Sequence, residues 1–479
     1  MSLQSALSIA LTGLQTSSAQ IQLSSANIAN AHTAGYTKKT AVVDSIILGN
    51  QSAGVNIASY QRASDTGLTN ALNSSTSLAG LTNTSYNYLT QVQSILDASS
   101  DNPALSSAIS NFQTAWTAYS TAPESTAAQQ TVISAGTTLA SAIKTISSKV
   151  ASLAIQVQND TASTLSTLNN DLGQLQTINN EVISAQSSGQ PIADLQDKQD
   201  QLVQSISTMT SVVVMHRDNG SIALYTPGGT PLIDGDAEVF GLNGGVITRS
   251  SGQNVTSSLT GGSIQAEVNF ADTSNAAAIS TDPGTGVIAK LQSQLTKLVD
   301  AFTNSSGSTA SLFGAAYSSA VTASTASGSS QSASTVASSF FTVTNDGSGN
   351  PDVSTFNVKS TLLNGTNVLP QTGAAAISNS FTATATYTAS GLAANNVTYA
   401  QLGTAILSNF QQAANTLQAS STDATTQQSY YQSTFSNTTG VNIDNELVNL
   451  TALQSAYAAS AHVISTIQAM LTALENTIQ

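Results

Sequence analysis

Two stretches at the ends of this chain repeat apolar residues at alternating gaps of three and four. In the first stretch, the larger repeated residues are Leu3, Leu7, Leu14, Ile21 and Ile28, with Ala or Ser at the positions between them. This spacing is a heptad seam, a narrow apolar stripe along one face of a helix. It predicts a helix over residues 2–29 whose opposite face carries Ser, Gln and Thr.

A second seam lies near the C-terminus and predicts a final helix over residues 442–478. Asp444 and Glu446 fall in its first turn, where acidic side chains interact favourably with the helix dipole. The seam positions are Leu447, Leu450, Leu453, Tyr457, Ile464, Ile467, Leu471 and Leu474.

Each seam needs a surface that covers it. A fully covered Leu or Ile side chain contributes roughly 1.5–3 kcal/mol, whereas an isolated helix covers none of its own stripe. We therefore predict that both ends are disordered or frayed in the free monomer and become ordered against neighbouring copies. The seams alone are equally consistent with two helices that cap the central part of their own chain.

The region between the seams changes its period once. Helical spacing continues over residues 65–209, where Phe112, Trp116 and Tyr119 predict one buried face. From Val212 the pattern is that of strands, and the turn signal Asp218-Asn-Gly220 predicts a hairpin. Further strands are predicted near residues 340–347 and 381–387.

The predicted fold class is multidomain α + β, with coiled-coil-like terminal helices, a long antiparallel helical bundle and a β-rich central domain. A stretch rich in Ser, Ala and Thr over residues 303–339 is predicted to be mobile. The predicted segments are 1–60, the N-terminal axial helix, its turn and an extended stretch; 61–210, the helical bundle; 211–398, the β-rich region with a helix near 287–302; 399–440, a helical return into the bundle; and 441–479, the C-terminal axial helix.

Composition excludes several classes of function. The 25 acidic residues outnumber the 11 basic ones, so a nucleic-acid partner and an anionic membrane surface are disfavoured. The absence of cysteine excludes disulfides, thiolate metal sites and cysteine nucleophiles. No apolar run approaches the roughly 20 residues that span a bilayer, which predicts no membrane insertion. No positively charged segment precedes Lys38, so we also predict no cleaved signal peptide.

The charged and polar clusters predict no catalytic residue, no cofactor and no metal. Asp194, Asp197 and Asp200 recur at gaps of three, and we interpret them as a solvated helix face. The acidic stretch 234–238 lacks the full spacing of a calcium loop and is interpreted as a polar turn. His32, His216 and His462 are far apart in the sequence, which disfavours a shared metal site.

The segment Ser24–Tyr36 resembles the N-terminal signature of the flagellar rod, hook and hook-associated protein 1 families. The matching residues are Asn27, Asn30, Thr33, Gly35 and Tyr36, and Ala34 stands where these families have proline. Near the C-terminus, Gly440–Glu446, Gln454–Tyr457 and Val463–Thr466 resemble the closing motif of the same set. Ala458-Ala-Ser460 replaces the usual Gln-Ala-Asn there.

Two internal stretches distinguish between the rod, hook and hook-associated protein 1 families. Asp194–Leu202 and Thr260–Glu267 resemble the helix-to-strand transition and the following helix of the hook-associated protein 1 family. Rod and hook proteins are mostly β between their termini and have no long helical bundle. The chain is therefore identified as similar to the hook-associated protein 1 family of flagellar axial proteins.

This resemblance implies a structural adaptor that joins hook to filament and is not an enzyme. It implies export, without cleavage, by the flagellar type III apparatus and self-assembly in the extracellular flagellum. The implied partners are further copies of the chain as a homo-oligomer, the hook protein, hook-associated protein 3 as second junction protein, and a cytoplasmic export chaperone. The seam from Leu447 onward is the predicted chaperone site, because a bare apolar stripe favours binding of a helix in a groove.

Three other functions stay open on the sequence. A rod or hook subunit would need strands across residues 65–209. A flagellum-associated peptidoglycan hydrolase would need the helical carboxylates to converge as an acid and a base in a cleft. A secreted adhesin or surface-layer protein would fit the Ser- and Thr-rich composition, but it would not require two terminal seams.

Overall fold

The computed structural model describes residues 3–48, 51–97, 104–272, 283–303, 311–326, 329 and 331–478. The chain divides into two compact units, each assembled from separate stretches of sequence. The first contains residues 1–80, 165–262 and 423–479, and the second contains residues 81–164 and 263–422. The five predicted segments are not tested by this division and stay a prediction.

Helices dominate the described residues, and the strands are short apart from the first two. The helices are α1 (Leu3–Asn30), α2 (Thr66–Leu96), α3 (Leu105–Thr121), α4 (Thr126–Ser187), α5 (Ala193–Met209), α6 (Gly262–Ala271), α7 (Val287–Thr303), α8 (Leu312–Ser324), α9 (Ser360–Leu363), α10 (Ala374–Ser380), α11 (Tyr399–Thr439) and α12 (Ile443–Ile478). The strands are β1 (Lys39–Leu48), β2 (Gln51–Arg62), β3 (Val213–His216), β4 (Ile222–Tyr225), β5 (Pro231–Asp234), β6 (Asp236–Ala237), β7 (Phe240–Asn243), β8 (Val246–Arg249), β9 (Phe341–Thr342), β10 (Asn357–Val358), β11 (Ala385–Ala389) and β12 (Leu392–Val397). The predicted fold class is confirmed.

The two terminal helices of the first unit pack side by side in antiparallel orientation. Ser24 of α1 bonds Glu446 at the start of α12, and Gly13 faces Ser460 further along it. Both predicted helices are confirmed to within two residues at the described ends. Their disorder in the free monomer stays a prediction.

An antiparallel hairpin, β1–β2, follows α1 and confirms the extended stretch that the sequence predicts there. Its register shifts twice, between Val42 and Val43 and between Ile46 and Ile47, as expected for β-bulges that bend a long ribbon. The hairpin lies against α1, where the Val55 N–H donates to the Thr12 hydroxyl at 3.3 Å.

The β-rich part of the first unit is a four-stranded antiparallel sheet in the order β3-β4-β5-β6, with β7–β8 as a separate hairpin. The predicted turn at Asp218-Asn-Gly220 joins β3 to β4, and Gly220 adopts a φ of 76° that favours glycine. β4 is buried over Ile222–Leu224, whereas β3 is largely exposed.

An aromatic cluster forms the core of the second unit. Phe112, Trp116 and Tyr119 are fully buried, which confirms the face predicted for α3. Phe112 lies at the centre, with six aromatic rings at centroid distances of 5.1 to 6.3 Å. Five of these six rings come from residues 302–381, so the central region contributes most of the aromatic side chains around Phe112.

The central region contains more helix than its composition indicates. The stretch predicted to be mobile includes α8, where Phe313, Tyr317 and Ala320 recur at gaps of four and three and are buried. That prediction is therefore wrong for α8, because an amphipathic face outweighs the Ser-rich composition. Residues 304–310, also within that stretch, lie outside the described residues. The helix predicted near 287–302 is confirmed as α7.

The strands predicted after residue 339 are shorter than expected. β9 covers only Phe341–Thr342. Phe381 lies at the C-terminal end of α10, buried in the aromatic cluster, and the strand begins four residues later at Ala385. Burial of its ring explains the apolar pattern that we interpreted as a strand.

Candidate assembly site

The turn after α1 is fastened by the side chain of Asn27, which is only 1% exposed. Its Nδ2 donates to the Lys39 carbonyl at 2.9 Å, and its Oδ1 accepts from the Lys39 N–H at 3.1 Å. The Tyr36 hydroxyl donates to the same Oδ1 at 2.9 Å. Because both ends of the amide are used, Asn27 joins the end of α1 to the start of β1.

Asn30, Thr33 and Gly35 shape the turn itself. Asn30 Nδ2 donates to the Ala26 carbonyl at 3.0 Å, and the Thr33 hydroxyl donates to Asn30 Oδ1 at 3.2 Å. Gly35 adopts a φ of 74°, and a Cβ there would lie 2.5 Å from the Gln201 amide nitrogen of α5. The turn therefore needs glycine for its backbone conformation and for its close approach to α5.

The ammonium group of Lys39 lies over the aromatic ring of Tyr36 in this turn. The Lys39 Nζ lies 3.4 Å from the centroid of the Tyr36 ring, a cation–π contact. Burial raises the pKa of Tyr36, so the phenol stays protonated and keeps its hydrogen bond to Asn27.

Asp197 of α5 is the acceptor on which the turn docks. Its Oδ1 accepts from the Thr37 hydroxyl at 2.7 Å, and its Oδ2 accepts from Lys39 Nζ at 2.8 Å. Arg62 Nη1 lies 3.3 Å from Oδ1. The solvated face predicted for the three aspartates is therefore wrong at Asp197, whose residue is 4% exposed.

The neighbouring aspartates complete a charge cluster, which we define as Lys39, Arg62, Asp194, Asp197 and Asp200. Asp194 bonds Lys39 at 2.8 Å from an exposed position, and Asp200 pairs with Arg62. Burial opposes the charge of Lys39, but hydrogen bonds to Asp194 and Asp197 outweigh it and raise the pKa of Lys39. A gap of three puts the aspartates on one face of α5, and both cations come from the hairpin.

Glu446 ties the same turn to α12. It is 2% exposed, accepts from the Ser24 hydroxyl at 2.7 Å and pairs with Lys38 at 3.0 Å. The Lys38 N–H also donates to the carbonyl of Thr439 at 2.7 Å. Burial opposes the charge of Glu446, but the bonds from Ser24 and Lys38 hold the pKa of that carboxyl below its usual range. Sequence reasoning found the helix-dipole role of Glu446 and missed this ion pair.

The terminal seams meet in the α1–α12 pair but are only partly covered. Ile467 is buried, Leu7, Leu14, Ile21, Ile28, Leu450, Leu453, Ile464 and Leu471 are half-buried, and Leu3, Leu447, Tyr457 and Leu474 are exposed. Val463 and Met470 of α12 are also exposed, at 46% and 47%. The first unit therefore presents apolar surface on its terminal pair, and the small residues Ala10, Ser17 and Ser24 form the tightest part of the seam.

Within the described residues, no group of three or more His, Asp or Glu side chains could hold a metal ion. No helix in the same part of the chain combines the length and the apolar character that a bilayer crossing requires.

We predict that Asn27→Ala destabilises the first unit by about 3 kcal/mol, since it leaves buried backbone groups of Lys39 without partners. Asn30→Ala is the matched control, because Asn30 belongs to the same motif but bonds at the surface, and we expect a loss below about 1 kcal/mol. Urea unfolding followed by far-UV circular dichroism measures both. Equal losses for the two variants would contradict the role of Asn27 as the fastening residue.

Two family models match this chain. The model of the flagellar hook-associated protein FlgK helical domain matches residues 89–312, and the model of the flagellar basal body rod FlgEFG protein C-terminal region matches residues 432–477. Flagellar hook-associated protein 1 of Salmonella typhimurium is 26% identical over 243 residues, covering 49% of this chain and 43% of the relative. Its counterpart in Bacillus subtilis is 23% identical over 240 residues, covering 48% of this chain and 47% of the relative.

The aligned region thus spans less than half the length of these curated relatives. Among solved structures, the flagellar hook junction protein FlgK from Burkholderia pseudomallei aligns with a TM-score of 0.44 at 21% identity. That alignment covers 58% of this chain and 47% of the other.

Proposed function

We propose, from the membership of this chain in the flagellar hook-associated protein 1 family, that it is a structural adaptor subunit joining hook to filament. Its terminal helices and the turn between α1 and β1 are the parts that assemble with neighbouring subunits. The subunit is exported by the type III apparatus without cleavage and works in the extracellular flagellum. Its role is mechanical, and no catalytic residue is assigned to it.

One observation carries the proposal. The turn with Asn27, Gly35 and Tyr36 is locked by Asp197 on one side and by Glu446 on the other. This locking holds the hairpin and both terminal helices in one arrangement, while the pair keeps apolar side chains such as Leu447 and Leu474 exposed. An arrangement that presents uncovered apolar surface is suited to packing against copies of itself and against other axial subunits.

The proposed partners are those that the family resemblance implies, and the same surface would receive them. Further copies, the hook protein and hook-associated protein 3 as second junction protein would cover the exposed apolar side chains in the assembled flagellum. Before export, a cytoplasmic chaperone would cover the seam of α12 from Leu447 to Leu474, as helix-in-groove complexes do.

Observed features disfavour two of the three alternatives. A rod or hook subunit needs strands across residues 65–209, and helices α2 to α5 lie there. The hydrolase alternative needs the carboxylates of α5 to act as an acid and a base in a cleft, whereas Asp197 and Asp200 are paired with Lys39 and Arg62. These observations favour the adaptor over both.

Deletion of the gene tests the proposal. We expect cells that carry hooks without filaments, release flagellin into the medium and do not swim, because filament subunits have no surface on which to polymerise. Electron microscopy, immunoblotting of the medium and motility in soft agar measure this, with the complemented strain as control. Normal filaments on the deletion strain would overturn the proposal.

A further inference from the structure

β3 is an exposed edge of the four-stranded sheet. The strand order β3-β4-β5-β6 leaves one side of β3 without a partner strand among the described residues. Val213 and Met215 are 46% and 56% exposed. Edge strands present backbone N–H and C=O groups with which another chain can pair, and charge or proline usually blocks them. Val213–His216 contains no proline and no Lys, Arg, Asp or Glu.

The register shows which backbone groups of β3 point outward. The Arg217 N–H donates to the Ser221 carbonyl at 3.0 Å, so this pair is hydrogen-bonded. Antiparallel pairs alternate between hydrogen-bonded and non-hydrogen-bonded. The pairs Val214–Leu224 and His216–Ile222 are therefore non-hydrogen-bonded, and the N–H and C=O groups of Val214 and His216 face away from β4.

The same two residues line a cleft of about 460 Å³ within the first unit. Its other walls come from the base of the β1–β2 hairpin, from α2 and from the region of α5. Amide and hydroxyl side chains dominate these walls: Gln61, Thr66, Thr69, Asn70, Asn73 and Gln196. Asn73 is 5% exposed, and its Nδ2 has no hydrogen-bond partner among the described residues.

The cleft is close to neutral. Its Lys, Arg, Asp or Glu side chains are Arg62 and Asp200, which pair with each other. An occupant with a net charge would find no unpaired counter-charge there. Peptide backbone and uncharged polar side chains, in contrast, match amides and hydroxyls that both donate and accept.

We propose that the outer edge of β3 pairs with an extended segment of a second copy of this chain. The inference rests on the proposed function, in which the neighbours in the assembly include copies of this chain. Only 8% of its residues are charged, so most extended segments of a neighbouring copy carry little or no charge, as the near-neutral cleft requires. The added strand pairs with the backbone of Val214 and His216, and its side chains meet the amides of the cleft.

The contact is short. Four residues of strand span roughly 13 Å, and two outward residues supply four backbone groups. Such a contact is weak between free monomers. It becomes effective when other contacts in the assembly hold the two copies together, because the pairing is then effectively intramolecular.

A cysteine cross-link tests the proposal directly. The chain has no cysteine, so Met215→Cys introduces a single thiol on the edge strand. Flagella are isolated from cells that make this variant as their only copy, labelled with benzophenone maleimide and irradiated. We expect a cross-linked dimer whose second peptide, identified by mass spectrometry, comes from another copy. Tyr430→Cys, at a position in the same unit that is 65% exposed, is the matched control.

A second substitution separates pairing from mere proximity. Val214→Pro removes an outward N–H and leaves the bonds to β4 in place, as is tolerated on edge strands. In this background we expect the Met215→Cys cross-link to be lost while far-UV circular dichroism stays unchanged. If Val214→Pro unfolds the chain, Val214→Lys blocks the edge by charge instead.

The outcomes separate this inference from the proposed function. If the chain is present in isolated flagella but the cross-link does not exceed the Tyr430→Cys control, strand pairing is overturned and the adaptor role stands. A cross-link to a different protein also overturns the second copy as occupant. If the native chain is absent from isolated flagella, the proposed function and this inference fail together.

Discussion

Asp197→Ala is expected to destabilise the first unit by about 3–5 kcal/mol, the cost of removing one partner of a buried ion pair. Lys39, whose side chain is 4% exposed, would lose its buried counter-ion and keep only the exposed Asp194. Thr37 would lose the acceptor of both its hydroxyl and its N–H. The turn would then detach from α5, because two buried donors lose their acceptor and a buried cation loses its buried counter-ion at once.

Asp194→Ala is the matched control for this prediction. Asp194 bonds the same Lys39 at the same distance, 2.8 Å, but its side chain is 81% exposed. Exposed ion pairs contribute little, so we expect a loss below about 1 kcal/mol. Urea unfolding by circular dichroism measures both losses, and hydrogen exchange of the Thr37 amide locates them. Similar small losses for both variants would contradict the assignment of Asp197 as the centre of the cluster.

The same pair of variants connects stability to the proposed function. In the gene-deletion strain, Asp194→Ala should restore filaments, and Asp197→Ala should not, because the turn no longer orients the terminal helices. Filaments of normal length with Asp197→Ala would show that assembly does not depend on the docked turn.

Glu267→Gln is expected to remove a pH dependence from the stability of the second unit. Glu267 is 3% exposed; its Oε1 accepts from the Thr164 hydroxyl at 2.9 Å, and its Oε2 has no partner among the described residues. Burial raises the pKa of Glu267 from 4.5 to about 7, and the charge of nearby Asp160 adds to this. Asp160 itself accepts from the Tyr88 hydroxyl at 2.7 Å.

The sign of the effect follows from linkage. Because the pKa of Glu267 is higher in the folded state, folding takes up a proton between about pH 4.5 and 7. The contribution to stability is complete below pH 4.5, falls across this window and is lost above about pH 7. Between pH 5 and 8, the free energy of unfolding of the native chain should fall by about 2–3 kcal/mol relative to that of Glu267→Gln.

Trp116 makes this measurement selective. It is the chain's single tryptophan and is buried in the aromatic cluster of the second unit, which also contains Glu267. Its fluorescence during urea unfolding at pH 5, 6, 7 and 8 therefore reports on that unit. Glu124→Gln, an exposed carboxylate of the same unit, should keep the native pH profile. If Glu267→Gln also keeps it, the carboxyl does not titrate as its burial requires.

Local sequence patterns correctly predicted the helices, the hairpin and the buried face that depend on residues close together in the sequence. The two heptad seams predicted α1 and α12, the Asp218-Asn-Gly220 signal predicted the β3–β4 hairpin, and the spacing of Phe112, Trp116 and Tyr119 predicted the buried face of α3. In each case, residues within a few positions of one another determine the backbone conformation or the buried face. Asn27 and Gly35 were singled out by the family resemblance alone, and the structure explains why these residue types stand there. Asn27 makes two hydrogen bonds to the backbone of Lys39, and Gly35 approaches Gln201 closely.

The prediction from composition was wrong where a small number of apolar side chains pack against residues that are distant in the sequence. α8 lies in a Ser-rich stretch, yet Phe313 and Tyr317 find cover in the cluster around Phe112 and Trp116. The residue composition of the Ser-rich stretch cannot reveal this packing, because the rings that bury Phe313 and Tyr317 are about 200 positions earlier in the chain.

The sequence by itself determined that this chain has seamed terminal helices, a helical region and a hairpin-containing β-rich region. Only the tertiary structure decided that Asp197 is buried and ion-paired, because its partners Lys39 and Arg62 lie 158 and 135 positions away in the sequence. A carboxylate on a helix face has the same local pattern whether water or two cations face it. The difference is a long-range electrostatic contact, and that contact exists only once the hairpin has folded against α5.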